Sequence, residues 1–170
     1  MLVLGKAGTA GTEKGISPVL RGDVVVATLR ASNWKEAATA VVENREWVLA
    51  KAGRQLTGRQ APDPEGTARL RARQTSFWRS TWEADLEGTP GQAQPEKWWH
   101  TALRWSVDGR LVAQGGTTGG WSPRPTLTGG EDLSLDARVF LLWLVLVLQR
   151  RTYGAAIGAV VVGGAAAGSS

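Results

Sequence analysis

The chain has no cysteine, so a disulfide framework and a cysteine-based zinc site are both excluded. Their absence is compatible with a reducing compartment and with a cytoplasmic setting. It has one histidine, His100, and therefore no histidine cluster for a metal or a paired-imidazole mechanism. Met1 to Lys6 has no basic start and no adequate apolar run, so no signal peptide is read there. Gly5-Lys6 lacks phosphate-loop spacing, and Gly115 to Gly120 lacks the strand-to-helix setting of a dinucleotide site. No serine, histidine and acid combination has a nucleophile-elbow pattern. His100 lies among Trp98, Trp99 and Trp105 and is read as a structural residue. The expectation is a protein that is not an enzyme and takes no cofactor or metal.

Aromatic usage is lopsided. Tyrosine occurs once and phenylalanine twice, against nine tryptophans. Tryptophan combines a large apolar body with one N–H donor, which suits cores, rims and stacking surfaces. The formal charge of +5, mostly arginine, favours anionic partners: nucleic acid, phospholipid headgroups or acidic proteins. At 170 residues the chain can bury a core in one domain.

Strand signals dominate as far as about Thr128. The runs are Asp23–Arg30, Ala37–Val42, Glu46–Lys51, Thr67–Arg73, Thr81–Glu87, Trp98–Val107 and Leu111–Gln114. Glu43-Asn44-Arg45 and Asp108-Gly109 read as hairpin turns. Gly- and Pro-containing stretches at 61–66, 88–91 and 115–125 read as loops. In Thr67–Arg73, Ala68, Leu70 and Ala72 alternate with Arg69, Arg71 and Arg73. In Thr81–Glu87, Trp82, Ala84 and Leu86 alternate with Glu83, Asp85 and Glu87. One antiparallel register lays the apolar stripes together and sets arginines opposite carboxylates. That makes the acidic triplet a solvated ladder rather than a catalytic carboxylate pair.

A faint repeat runs through the chain. Leu29-Arg30-Ala31 precedes Trp34-Lys35, Leu70-Arg71-Ala72 precedes Trp78-Arg79, and Leu111-Val112-Ala113 precedes Trp121. The pattern hints at a recurring strand–loop–strand unit. Trp34, Lys35, Trp78, Arg79, Trp121 and Arg124 are the candidate binding residues, as stacking or headgroup-binding spots. Against this stands the reading, favoured because tryptophan is mostly buried, that these rings cover barrel edges or plug the core.

Val139 to Leu148 contains no polar residue. A buried strand remains open for so short a run, but Ser134 and Asp136 before it and Arg150-Arg151 after it suit a capped helix. An all-round apolar helix must be surrounded. As a helix the run reaches roughly 15 Å, about half a hydrocarbon core. Lengthening it through Ala155–Val162 would bury Arg150 and Arg151, at about 2.5–3.5 kcal/mol each. It is therefore expected inside the protein, with no transmembrane span. Phe140, Leu141, Trp143, Leu144, Val147 and Leu148 are expected to be nearly all buried.

Short antiparallel strands followed by one apolar helix resemble the Tubby C-terminal-like superfamily, which includes LURP-one-related proteins and phospholipid scramblases. The matching parts are Trp98–Gln114 with its Asp108-Gly109 turn, and Leu135–Leu148 in the place of the central helix. Asp23–Arg30 and Glu46–Lys51 are similar to earlier barrel strands. The resemblance implies a mainly β fold, a closed antiparallel β-barrel wrapped around its C-terminal helix. It divides the chain into a lead-in or strand at 1–19, a barrel at 20–152 with its helix near 136–151, and an Ala/Gly-rich flexible tail at 153–170. No scramblase-type calcium segment or palmitoylation cysteine is present, and no phosphoinositide-binding Lys/Arg set is matched. Scrambling activity does not carry over.

The leading expectation is a non-enzymatic barrel that binds a partner or an anionic phospholipid surface, in the cytoplasm or peripheral to a membrane. A small-ligand carrier with a Trp-lined cavity is one alternative. A single-strand nucleic-acid binder using basic and Trp residues is the other.

Overall fold

Two dipeptides show how the local chemistry builds the wall. Asp108 and Gly109 both have positive φ, 49° and 75°, and Val107 pairs with Arg110 across them. Glu43 and Asn44 do the same at 47° and 65°, between Val42 and Arg45. These mirror-image turns match the right-handed twist of the strands that they join. Arg45, expected in the turn from the sequence, is the first residue of the next strand.

A computed structural model describes residues 1–95 and 102–164, of which 155–164 by backbone alone. The described residues form twelve strands and one helix. The strands are β1 (Leu2–Leu4), β2 (Ser17–Arg21), β3 (Val24–Ala31), β4 (Ala37–Val42), β5 (Arg45–Ala52) and β6 (Gln55–Gln60). They continue with β7 (Leu70–Ser76), β8 (Thr81–Leu86), β9 (Thr89–Pro95), β10 (Leu103–Val107), β11 (Arg110–Thr117) and β12 (Pro125–Gly129). Each strand pairs antiparallel with its neighbour in sequence, and β1 closes the circle on β12 through Leu2 and Leu127. Closure removes the free edges that an open sheet would expose. The mainly β, closed antiparallel barrel with one C-terminal helix, α1 (Leu135–Gly164), is the architecture expected from the sequence.

The Arg/Glu hairpin forms as expected, with one departure. In β7 and β8, Arg71 lies opposite Asp85 and Arg73 opposite Glu83. Leu70, Ala72, Trp82, Ala84 and Leu86 are buried. Arg73 donates to Glu83 at 3.0 Å, an exposed pair that contributes about 0.2–1 kcal/mol. Arg69 lies before β7 and its guanidinium grips Asp63 instead, at 2.8 and 3.2 Å. Glu87 occupies the turn and accepts from Ser134 Oγ at 2.6 Å.

Strands β2, β6, β9 and β12 and the end of β11 are absent from the sequence reading, which placed loops at 88–91 and 115–125. For β6, β9 and the end of β11 the inward positions explain the omission. Gly58, Gly91, Ala93 and Gly115 are buried where a periodicity reading looks for large apolar residues. At Gly115 the reason is close approach. A Cβ there would stand 2.5 Å from Cγ2 of Val145 on α1. Gly115→Ala is therefore expected to destabilise the fold by about 1–3 kcal/mol through overpacking. A lower urea midpoint at unchanged m-value would show it.

Helix α1 starts as anticipated. Ser134 Oγ accepts the N–H of Ala137 at 3.1 Å, an N-cap bond. Asp136 in the first turn accepts from Trp47 Nε1 at 2.8 Å and from Arg45 at 2.7 Å. Burial pushes the Asp136 carboxyl above its usual range, against the opposing pull of Arg45 and the indole N–H. Val139 to Val145 and Val147 are buried inside the wall. Leu146 and Leu148 are only half-buried, so Leu148 is the exception among the six side chains expected to be nearly all buried. The helix end is corrected too. Backbone helix continues to Gly164, past the boundary expected near 151 and through most of the stretch read as a flexible tail. Alanine is the best helix former, and no proline interrupts the stretch. Arg150 and Arg151 thus lie within the helix and do not cap it.

Candidate functional site

An up-and-down barrel sorts its connections into two ends by parity. One end carries the turns at 22–23, 43–44, 87–88 and 108–109, the loop 61–69, and the link 130–134 into α1. The other carries 5–16, 32–36, 53–54, 77–80 and 118–124. Helix α1 enters from the turn end, where Asp136 meets Arg45 and Trp47. It reaches the loop end at Gln149–Arg151. There Gln149 donates to the Pro123 carbonyl at 2.9 Å and Arg150 to the Ser32 carbonyl at 2.6 Å.

All three candidate tryptophans stand at the loop end. Trp34 is 95% exposed, Trp78 93% and Trp121 106%. The favoured reading, that these rings cover edges or plug the core, is therefore overturned. Trp47, Trp105 and Trp143 take that place inside the barrel. The reason is position: Trp34, Trp78 and Trp121 lie in loops beyond the last paired residues, where no facing layer covers them. Phe77, missed by the sequence reading, is also exposed and packs edge-on against Trp78 with centroids 6.2 Å apart.

The faint repeat has a geometric meaning. The loops β3–β4, β7–β8 and β11–β12 are four strands apart in a closed ring of twelve, counting across the β1–β12 seam. They are spread evenly around the rim, roughly 20 Å apart along the wall at about 4.8 Å per strand. A hydroxyl at the start of each loop holds the backbone N–H of the basic residue that follows the tryptophan. Ser32 Oγ accepts from Lys35 at 3.2 Å, Ser76 Oγ from Arg79 at 3.2 Å and Thr118 Oγ1 from Arg124 at 2.9 Å. These side-chain-to-backbone bonds stabilise the turns and fix the backbone of each basic residue in the loop that carries its tryptophan. All six candidate residues thus share one end of the molecule, in three Trp–cation pairs.

Charge is segregated along the barrel axis. Lys35, Arg79, Arg124 and Arg150 are exposed at the loop end. Among the described residues, the loops there carry two carboxylates, and both have partners. Glu13 lies 3.8 Å from Arg30. Glu36 receives two hydrogen bonds from Arg151, at 2.5 and 2.8 Å, and Lys51 lies 3.6 Å away. The bonds from Arg151 hold the Glu36 carboxyl below the usual carboxylate range, so it is ionised and compensated at neutral pH. The turn end exposes Asp23, Glu43, Glu87, Asp108, Glu131 and Asp132, which Arg45, Arg110 and Arg138 only partly offset. A cleft of about 230 Å³ opens between the 32–36 loop and α1, lined by Trp34, Lys35, Arg150 and Arg151 among others.

The wall carries a polar cleft of about 730 Å³ over β6–β10, lined by Arg71, Arg73, Glu83, Asp85 and Gln92 among others. On β7 to β10 the outward positions are polar, as at Arg71, Arg73, Glu83, Asp85, Gln92 and Arg104, and the inward ones apolar or small, while β3, β4 and β11 also expose Val24, Val41 and Leu111. That is the reverse of a barrel whose strands cross a membrane. No described helix is long and apolar enough to cross one. The interior that a ligand carrier would use is filled by α1. No described group of His, Asp and Glu could hold a metal ion. His100, Trp98 and Trp99 lie outside the described residues, and the structural role expected of His100 with them. No family model, curated protein or solved structure matches this chain.

Proposed function

We propose that this domain is a non-enzymatic, membrane-peripheral module that docks on anionic phospholipid, loop end first. One observation carries the reading: three almost fully exposed tryptophans, each in a loop that also carries an exposed cation, ring a single end of the barrel. Tryptophan settles at the headgroup level of a bilayer, where its ring is in apolar surroundings and its N–H stays wet. A lysine or arginine near an anionic surface adds about 1 kcal/mol. Three such points around a rim define a plane, which sets the barrel axis along the membrane normal. The acidic turn end is repelled by the same surface and reinforces that orientation. The cytoplasmic leaflet is the anionic one, which fits the cytoplasmic setting expected from the lack of cysteine. The resemblance to the Tubby-like superfamily belongs to the same reading; a closed barrel around a C-terminal helix supports it at the level of architecture.

Co-sedimentation with phosphatidylcholine vesicles, with and without phosphatidylserine, tests the proposal. Binding should require phosphatidylserine and weaken as salt rises through the Debye-screening range. A single-stranded oligonucleotide in the same assay covers the competing chemistry. Steep, salt-dependent binding to the oligonucleotide without binding to either vesicle would replace the lipid reading with nucleic-acid binding.

A further inference from the structure

The C-terminal part of α1 continues past Arg151 at the loop end, where its root is held by the 32–36 and 118–124 loops. Arg151 is half-buried at the mouth, and Thr152, Tyr153 and Gly154 are exposed. The backbone remains helical to Gly164. From Thr152 to Gly164 the sequence has no charged residue and includes Ile157, Val160, Val161 and Val162. At about 1.5 Å per residue this extension is roughly 20 Å long. One leaflet of hydrocarbon is about half of 30 Å deep. The extension is thus long enough to enter one leaflet.

Its root is tied to the ring. Arg150 bonds the carbonyl of Ser32, two residues before Trp34, and Gln149 bonds the carbonyl of Pro123, two residues after Trp121. The level of residues 149–151 along the helix is therefore the level of the tryptophan loops. Arg150, Lys35, Arg79 and Arg124 form a basic collar there, complementary to phosphate headgroups, and the uncharged helix lies beyond it. Headgroup-level tryptophans, cations at the same height and an apolar helix on the membrane side follow the order of a bilayer surface read inward.

We infer that residues 152–164 are a monotopic anchor that inserts into the hydrocarbon of one leaflet while the Trp–cation ring rests on its headgroups. The inference rests on the docking reading and adds a depth to it. It also removes the energetic objection to a membrane-embedded C-terminal helix. Arg150 and Arg151 remain at the surface, since insertion begins after them.

The absence of native cysteine makes a direct test practical. Full-length chains carrying one of Ser122→Cys, Ala159→Cys or Glu65→Cys are labelled with an environment-sensitive fluorophore. They are then mixed with phosphatidylserine-containing vesicles whose lipids are brominated along the acyl chains. The expected result is a blue shift at positions 122 and 159, with deep bromines quenching 159 most strongly and 65 unchanged. A shift at 122 with position 159 still aqueous overturns the anchor and leaves docking in place. No shift at either position overturns both. A shift at 159 alone shows a tethered barrel and overturns the collar arrangement.

Discussion

Leu144→Asp is expected to abolish the folded state. Leu144 is completely buried at the centre of the apolar run in α1, between Trp143 and Val145, which are buried as well. The helix fills the interior of a closed wall, so an aspartate there can reach neither solvent nor a partner without opening the barrel. Losing the leucine forfeits about 1.5–3 kcal/mol of burial. An unpaired polar or charged group in that setting costs several kcal/mol more. A domain of this size is stable by about 5–15 kcal/mol in total, so the substitution removes most or all of the margin. Circular dichroism and a thermal melt of the purified variant would show loss of cooperative unfolding. Leu144→Met, nearly equal in volume, should cost less than about 1.5 kcal/mol and serves as the control. A Leu144→Asp protein that melts close to wild type would mean that the helix is not the core.

The combined substitution Trp34→Ala, Trp78→Ala and Trp121→Ala is expected to leave the fold intact and to abolish vesicle binding. Each ring is solvent-exposed, so its loss costs stability at most about 0.5 kcal/mol. A tryptophan that buries half of its roughly 200 Å² at a bilayer surface contributes about 2.5 kcal/mol. The three loops are far enough apart for their contributions to add. The loss should lower partitioning onto phosphatidylserine vesicles by at least about a thousandfold. Lys35→Gln, Arg79→Gln and Arg124→Gln together should remove about 1 kcal/mol each and flatten the salt dependence. Vesicle titrations of both variants against wild type separate the aromatic from the ionic share. Unchanged binding in the triple-alanine protein, with its melting temperature retained, would refute the rim as the docking surface.

The two expectations rest on residues that differ in how visible they were in the sequence. Val139 to Leu148 has no polar residue and is flanked by Ser134 and Asp136, so its burial and its N-cap could be anticipated from neighbours a few positions away. The Arg71 and Arg73 register against Asp85 and Glu83 was legible for the same reason, since alternation confines side chains to faces. Strands such as β9, Thr-Pro-Gly-Gln-Ala-Gln-Pro, escaped because their inner faces are Gly and Ala. A small inner residue leaves no hydrophobic period, and whether it lies in a strand is settled by the strands on either side. Arg150 and Arg151 were read as a helix end because cations suit one. Their partners, the Ser32 carbonyl and Glu36, lie more than a hundred residues away and could not be seen.

The candidate residues show the division most clearly. Trp34-Lys35, Trp78-Arg79 and Trp121 with Arg124 could be singled out from composition and spacing, along with the turns, the alternating faces and the apolar helix. Each is a property of a few consecutive residues, set by φ preferences, side-chain period and capping. Whether those tryptophans would be core or surface was decided only by tertiary structure. Twelve strands in up-and-down order send every second connection to the same end, and closure of β1 on β12 spaces the three Trp loops evenly around it. Helix α1 then fills the interior with Phe140 and Trp143, joined there by Trp47 and Trp105 from the wall, and the rim tryptophans are left almost fully exposed. Burial depends on which surfaces the closed chain brings into contact, and local sequence carries no record of that.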